Sequence, residues 1–327
     1  MVATVRTLWE AVEDSEAVDR TRLKRDIAQV VRRLKSRIEG RLTSPAPRKK
    51  EPSLFDGQAE RHAEEARVAA PAAPRFSETA LRLYDKDLVE HALQHLPSAR
   101  LFGEVTDFRD HLVEKIRFNS QATRRRAANY IINRFFPGKV LHEDLTKFAA
   151  VAAGGPALAD ALFYLTCRTE LILASVAEEV VFPALAQGGI GRGRILEFVE
   201  SRFPGSKSVK DVSQAIVRTY ERLGVGTATR TRLNVSLREG SLAAFGYMLH
   251  LEFPEPGMYS FERLLDGPLH KWLLWDQQWM VRQLYRLREA GLLAKVSEID
   301  RLRQFTTKYD LVEAIDSIVR LAQGTHS

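Results

Sequence analysis

Three consecutive arginines, Arg124, Arg125 and Arg126, stand one turn inside a stretch from Phe118 to Pro137 that reads FNSQATRRRAANYIINRFFP. Asn119 and Ser120 are capping residue types and Pro137 is a stop, so the stretch is predicted to be a helix. Ala127, Tyr130, Ile131 and Arg134, with Ala128, Ile132 and Phe135, fall at helical spacing and give it a buried stripe. Successive helical residues turn by about 100°, so three arginines in a row cannot all face the core. From residue 109 to 139 the cations are Arg109, Lys115, Arg117, Arg124, Arg125, Arg126, Arg134 and Lys139, against Asp110 and Glu114 alone. Guanidinium groups beside the amide donors of a helix start are suited to phosphate. An ordinary solvated basic face gives the same pattern.

A second set of cations has a stricter rhythm. Lys207, Lys210, Gln214, Arg218 and Arg222 recur every three to four residues, along one face of a helix opened by Ser208 or Asp211. A shorter helix, ILEFVESRF, precedes it and stops at Pro204-Gly205. After the turn at Gly224 to Gly226 comes RTRLNVSLR, in which Leu233, Val235 and Leu237 alternate with Arg232, Asn234, Ser236 and Arg238 as a strand does. Helix, turn, helix and basic strand is the order of a winged helix-turn-helix. Ser208 to Leu223 is then the recognition helix, and Arg230, Arg232 and Arg238 form the wing. Gln214 and Asn234 are the amides placed to read base edges.

Composition bounds the partners. The chain has 327 residues, 45% of them hydrophobic, with 49 basic and 42 acidic residues and a net charge of +7. That balance suits nucleic acid without requiring it. The single cysteine, Cys167, lies in an apolar helical run and rules out an intramolecular disulfide. The start, MVATVRTLWEAVED, has no signal-like apolar core, and no apolar run reaches the roughly 20 residues of a membrane span. A cytoplasmic protein is expected, with no membrane partner.

Enzyme signatures are missing. There is no GxxxxGK[ST], no GxSxG and no HExxH, and GGIGRGR at 188–194 follows no predicted strand, so it reads as a flexible hinge. His91 and His95 have metal-ligand spacing, but no carboxylate sits at the position the zinc motif needs. Glu178-Glu179 and Asp310 with Glu313 are spaced as solvated helix faces, which leaves a metal-dependent nuclease as the remaining enzyme reading. No catalytic residue, metal or cofactor is assigned.

Along the chain, residues 1–42 are expected to form a basic amphipathic helix. Leu23, Ile27, Val30, Val31, Leu34 and Ile38 make its apolar stripe. Residues 43–75 are a linker rich in proline and alanine, with a short Leu-Phe segment at Pro52 to Asp56. Residues 76–187 are a helical domain whose core is the apolar stretch 156–187. Residues 188–253 are the winged-helix-like domain, in which LAAFGYMLHLEF is a second strand or a buried segment. Residues 254–327 are a helical and again winged-helix-like end. RTYERLGV at 218–225 and RLREAGLL at 286–293 suggest a diverged repeat. Trp272, Trp275 and Trp279 form a stripe suited to a core or a protein interface. The fold class is mainly α, with one or two winged helix-turn-helix-like units and short β-hairpins.

Three pieces, in order, carry a family resemblance. The first is Ser120, Thr123, Arg124 and Arg125, followed by Asn133-Arg134-Phe135. The second is LFYLTCRTELILASVAEEVV around Cys167, and the third is the serine-led helix from Ser208 to Gly224. With them the chain resembles the BrxA family of BREX phage-resistance systems over about Leu81 to Gly226. The first 75 residues and much of the chain beyond Gly226 have no counterpart. The resemblance implies a non-enzymatic, winged-helix-bearing protein that binds double-stranded DNA beside the methyltransferase and other proteins of its defence system. The residues themselves agree on DNA and are silent on defence. They predict backbone anchoring by Arg117 and Arg124 to Arg126, with the Ser208 helix in the major groove. Six to ten phosphate contacts would cost about 10³ to 10⁵ in affinity between 50 and 200 mM salt. Two rivals remain: a protein–protein scaffold, whose binding survives salt, and a transcriptional regulator, which needs paired recognition helices.

Overall fold

Among the described residues, helices separated by glycine and proline turns predominate, and the few strands gather into two small three-stranded antiparallel sheets. The computed structural model describes residues 88–299 and 302–324. The basic helix expected at 1–42 and the linker at 43–75 lie outside the described residues.

The first helices are α1 (Leu88–His95), α2 (Val105–Lys115), α3 (Gln121–Phe135) and α4 (Glu143–Val151). The arginine-bearing helix α3 buries Ala127, Ala128, Ile131, Ile132 and Phe135 and ends at Pro137-Gly138, where Gly138 takes φ +75°. Ser120 stands at its N-cap position, but its side chain makes no capping bond. Arg134 is not part of the basic surface. Its Nε and Nη2 donate to Oε1 of Glu170 at 3.1 and 2.7 Å, and both side chains are buried.

The apolar stretch after Gly155 forms α5 (Pro156–Thr169) and α6 (Leu171–Val176), with Cys167 fully enclosed. The chain breaks at Glu170, whose φ/ψ of −102°/85° turn its carboxylate toward Arg134. A π-turn (Ala177–Val181) and a 3₁₀ segment (Phe182–Gln187) follow, with Pro183 preventing an α continuation.

Next come β1 (Gly189–Gly191), α7 (Arg192–Arg202), α8 (Val209–Arg222), β2 (Thr227–Ala228) and β3 (Arg232–Asn234). β3 lies in the middle of the sheet, in the order β1-β3-β2. The glycine-rich segment read as a hinge is therefore the edge strand of this sheet. Glycine is needed there because Gly189 has φ +134° and an added Cβ would sit 2.3 Å from the Leu233 carbonyl oxygen. The basic strand is real but short: pairing stops at Asn234.

The last part runs α9 (Leu242–Glu252), β4 (Met258–Ser260), α10 (Phe261–Leu265), α11 (Pro268–Leu273), α12 (Gln277–Glu289), β5 (Leu293–Ile299), β6 (Leu302–Thr307) and α13 (Leu311–Gly324). Its sheet has the order β4-β6-β5. LAAFGYMLHLEF is thus a helix and not a strand; it lacks helical periodicity because Ala243 to His250 are buried all round. PEPGMYS, which reads as a loop, contributes β4. Trp275 and Trp279 are core residues with rings 5.2 Å apart, and half-buried Trp272 donates Nε1 to Glu178 Oε1 at 2.7 Å. One buried core continues through all these elements.

Candidate nucleic-acid interface

Helix α8 separates its residues cleanly. Val209, Val212, Ala215, Ile216, Thr219 and Tyr220 are buried, whereas Lys210, Arg218 and Arg222 are exposed and Gln214 is half-buried; Lys207 is exposed just before the helix. The burial follows from apolar spacing and places the predicted face on the surface. The helix ends where Gly224, at φ +68°, lets the Val225 amide donate to the Tyr220 carbonyl at 2.9 Å.

An open cleft of about 300 Å³ runs between the amino-terminal half of α8, the start of α7 and the β2–β3 turn. Arg192, Gly193, Leu196, Lys210, Ser213, Gln214, Val217 and Arg230 line it. Its charged residues are Arg192, Lys210 and Arg230, all cations, with the Gln214 amide between them. In water-accessible surroundings such a set suits phosphate oxygens, with one amide left to touch a base edge. The exposed acids next in sequence to the cleft's lining are Asp211, after Lys210, and Glu197, after Leu196.

The other predicted residues distribute differently. Arg222 pairs with Glu90 of α1 at 2.6 Å, which ties the end of α8 to the helical body. Arg232 turns to the far side of the sheet, donating to the carbonyls of Gly189 at 3.1 Å and Gln187 at 3.4 Å. There it borders a second cleft of about 650 Å³ that also contains Glu179 and Glu197. Asn234 is half-buried in the middle strand, paired between Gly189 and Thr227.

Arg238 lies four residues past β3 and outside the hairpin, so its wing role is corrected. Its guanidinium is an internal strut that contacts Asp160 and donates to the Leu273 carbonyl at 2.9 Å. Its main chain bonds Leu274 and Asp276. Burial raises the Asp160 carboxyl to about 6 although Arg238 opposes that shift.

Arg125 lines a separate cleft of about 510 Å³ between α2 and α3, with Arg109, Asp110, Val113 and Asn129. Arg124 is half-buried, with its Nε shielded and without a hydrogen-bond partner, while Arg117 and Arg126 are exposed. Neither Arg117 nor the arginine triplet lines the α8 cleft.

Sequence reasoning missed Arg192. It hides among glycines, and the available signal was that an apolar helical pattern begins immediately after it. Its Nη1 donates to the carbonyls of Thr229 at 3.1 Å and Arg230 at 3.5 Å, and its main-chain amide donates to Thr231 at 2.9 Å.

His91 and His95 stack with ring centroids 6.3 Å apart, and His111 lies 6.3 Å from His95. Burial, then the neighbouring imidazoles and Lys115, lower the His95 pKa. Among the described residues no group of three or more His, Cys, Asp or Glu side chains has a metal-holding arrangement, and no helix is long and apolar enough to cross a membrane. The chain matches no protein-family model, no curated protein and no solved structure.

Proposed function

We propose that this protein binds duplex DNA without catalysing a reaction, through a winged helix-turn-helix formed by β1, α7, α8, β2 and β3. The observation that carries the reading is the juxtaposition of an exposed α8 face with a hairpin turn, around a cleft whose charged lining, among the described residues, is Arg192, Lys210 and Arg230. The sheet order β1-β3-β2 supports it, because the strand before α7 and the hairpin after α8 brace the helix from behind. Lys207, Lys210, Arg218 and Arg230 contact phosphates and Gln214 meets a base edge. Sequence preference is therefore weak. Arg117 and Arg124 to Arg126 serve as an outlying anchor for a longer duplex.

The resemblance to the BrxA family supports the further reading that this activity serves a cytoplasmic BREX-type defence system, beside its methyltransferase and associated subunits. The test is fluorescence anisotropy with a mixed-sequence duplex of ~30 base pairs. Four phosphate contacts give a slope near −4 in log affinity against log salt, or roughly 10²-fold weaker binding between 50 and 200 mM. Absence of binding at 50 mM salt sinks the reading.

A subunit that holds other proteins of the same system together is the second reading. It is favoured by Ile299 and Leu302, which face each other across β5 and β6 at 62% and 67% exposure. Complexes made through such contacts persist at 500 mM salt, unlike phosphate contacts.

A further inference from the structure

We infer that Arg192 is a positioning residue for DNA binding: it fixes the β2–β3 turn against the start of α7 and thereby sets where Arg230 meets the duplex. The inference rests on the DNA reading above. A two-residue strand joined to a three-residue strand cannot hold its own geometry, because so few ladder bonds form. Arg192 supplies the missing constraint. Its guanidinium reaches the Thr229 and Arg230 carbonyls while its backbone amide takes Thr231, so three successive turn residues are held by one side chain and its own main chain. Within the turn, the Arg232 amide donates to Thr229 Oγ1 at 3.1 Å and the Thr229 amide to the Arg232 carbonyl at 2.8 Å.

The second sheet shows the same position put to the same use by different chemistry. Phe261 also directly follows the first strand of its sheet and opens the next helix. It is buried, its ring lies 6.3 Å from Phe305 of β6, and the Arg303 guanidinium sits over it at 4.8 Å. Each helix start thus grips its hairpin, by apolar packing in one case and by carbonyl capture in the other. With Nη1 directed at two carbonyls, the Arg192 guanidinium is engaged in holding the turn, and Arg230 lines the cleft with its own charge.

The test combines hydrogen exchange on the unbound full chain with duplex anisotropy for Arg192→Ala, Arg192→Lys, Arg230→Ala and the Arg192→Ala/Arg230→Ala pair. Urea midpoints confirm that each variant is folded. The Thr229 to Arg232 amides should exchange at least ~10-fold faster in Arg192→Ala, with only partial protection in Arg192→Lys, because the lysine ammonium stops one bond short of the position Nη1 occupies. Affinity should fall about 10-fold in each single variant but little further in the double, since both act through one contact. Multiplying losses, full rescue by lysine and unchanged hairpin exchange would overturn the assignment and make Arg192 a direct phosphate ligand. If the wild type does not bind duplex at 50 mM salt, the DNA reading falls and the positioning role with it. Hydrogen exchange would then still report whether Arg192 holds the turn.

Discussion

The two sheet-bearing parts of the molecule share one plan and differ in their surfaces. In each, a three-residue strand leads into helices, a longer helix follows, and a hairpin returns with its second strand paired in the middle. Each longer helix ends on the same device. Gly224 at φ +68° and Gly291 at φ +79° let Val225 and Leu292 reach back to Tyr220 and Leu287, both at 2.9 Å. Superposing these glycines sets Arg218 against Tyr285, one residue away from the register that the RTYERLGV and RLREAGLL segments suggest. Several buried positions then correspond: Val212 with Trp279, Val217 with Leu284, Tyr220 with Leu287.

The exposed positions do not correspond. Lys210, Gln214 and Arg218 stand where the second unit has Gln277, Val281 and Tyr285. Tyr285 donates its hydroxyl to Glu298 at 2.8 Å, and Arg303 pairs with the same carboxylate at 3.0 Å. The second helix therefore meets its hairpin through a satisfied hydrogen-bond set, while the first leaves a basic cleft. Shared interior positions specify the frame, and the exposed stripe decides what the frame can hold.

The comparison breaks first at its strands. Gly189→Val forces a Cβ into the Leu233 carbonyl and a non-glycine residue into positive φ, at a cost of about 4 kcal/mol in urea unfolding. At the exposed counterpart strand, Met258→Val should change stability by under ~0.5 kcal/mol. Equal effects would show that β1 has no special close approach.

Charge reversal sharpens it next. Lys210→Glu with Arg230→Glu should weaken duplex binding by about 10²-fold at 100 mM salt, whereas Arg282→Glu with Arg288→Glu should change it by less than ~3-fold. Similar losses from both pairs would place both units on the duplex.

The third difference is protonic. Burial raises the Glu252 carboxyl from 4.5 to about 7, with Arg263 acting against the shift. A carboxyl whose folded pKa is raised disfavours the charged form, so it reduces stability progressively as pH rises from 4.5 to about 7. Glu252→Gln should raise stability by under ~1 kcal/mol at pH 5 and by roughly 1–3 kcal/mol at pH 8. A variant equally stable at both pH values relative to wild type contradicts the shift.

The smallest effect comes from the buried histidines. Burial lowers the pKa of His250, partly offset by its bond to the Gly246 carbonyl, and burial together with neighbouring cations lowers that of His95. The folded state then binds fewer protons than the unfolded one, and stability falls as pH drops below the ordinary histidine value of 6.5. His250→Gln and His95→Gln should each flatten the acid side of a melting-temperature profile.

Local periodicity made part of this legible. The α8 face reads from the 3.6-residue rhythm of Lys207 to Arg222, and α3 reads from its stripe and from Pro137. Three features did not read. Arg134 with Glu170, and Arg238 with Asp160, are partners 36 and 78 residues apart, and nothing local marks an arginine as internal. β1 has three residues, two of them glycine, so no alternation can announce it. α9 is apolar on every side, and such a run looks alike as strand or as helix.

The most direct test of the central claim is hydrogen-exchange footprinting of the full chain with and without a ~30-base-pair duplex at 50 mM salt. The account predicts protection at residues 189–192, 207–218 and 227–234, with 277–299 unchanged. Protection confined to 277–299, or none, would contradict it.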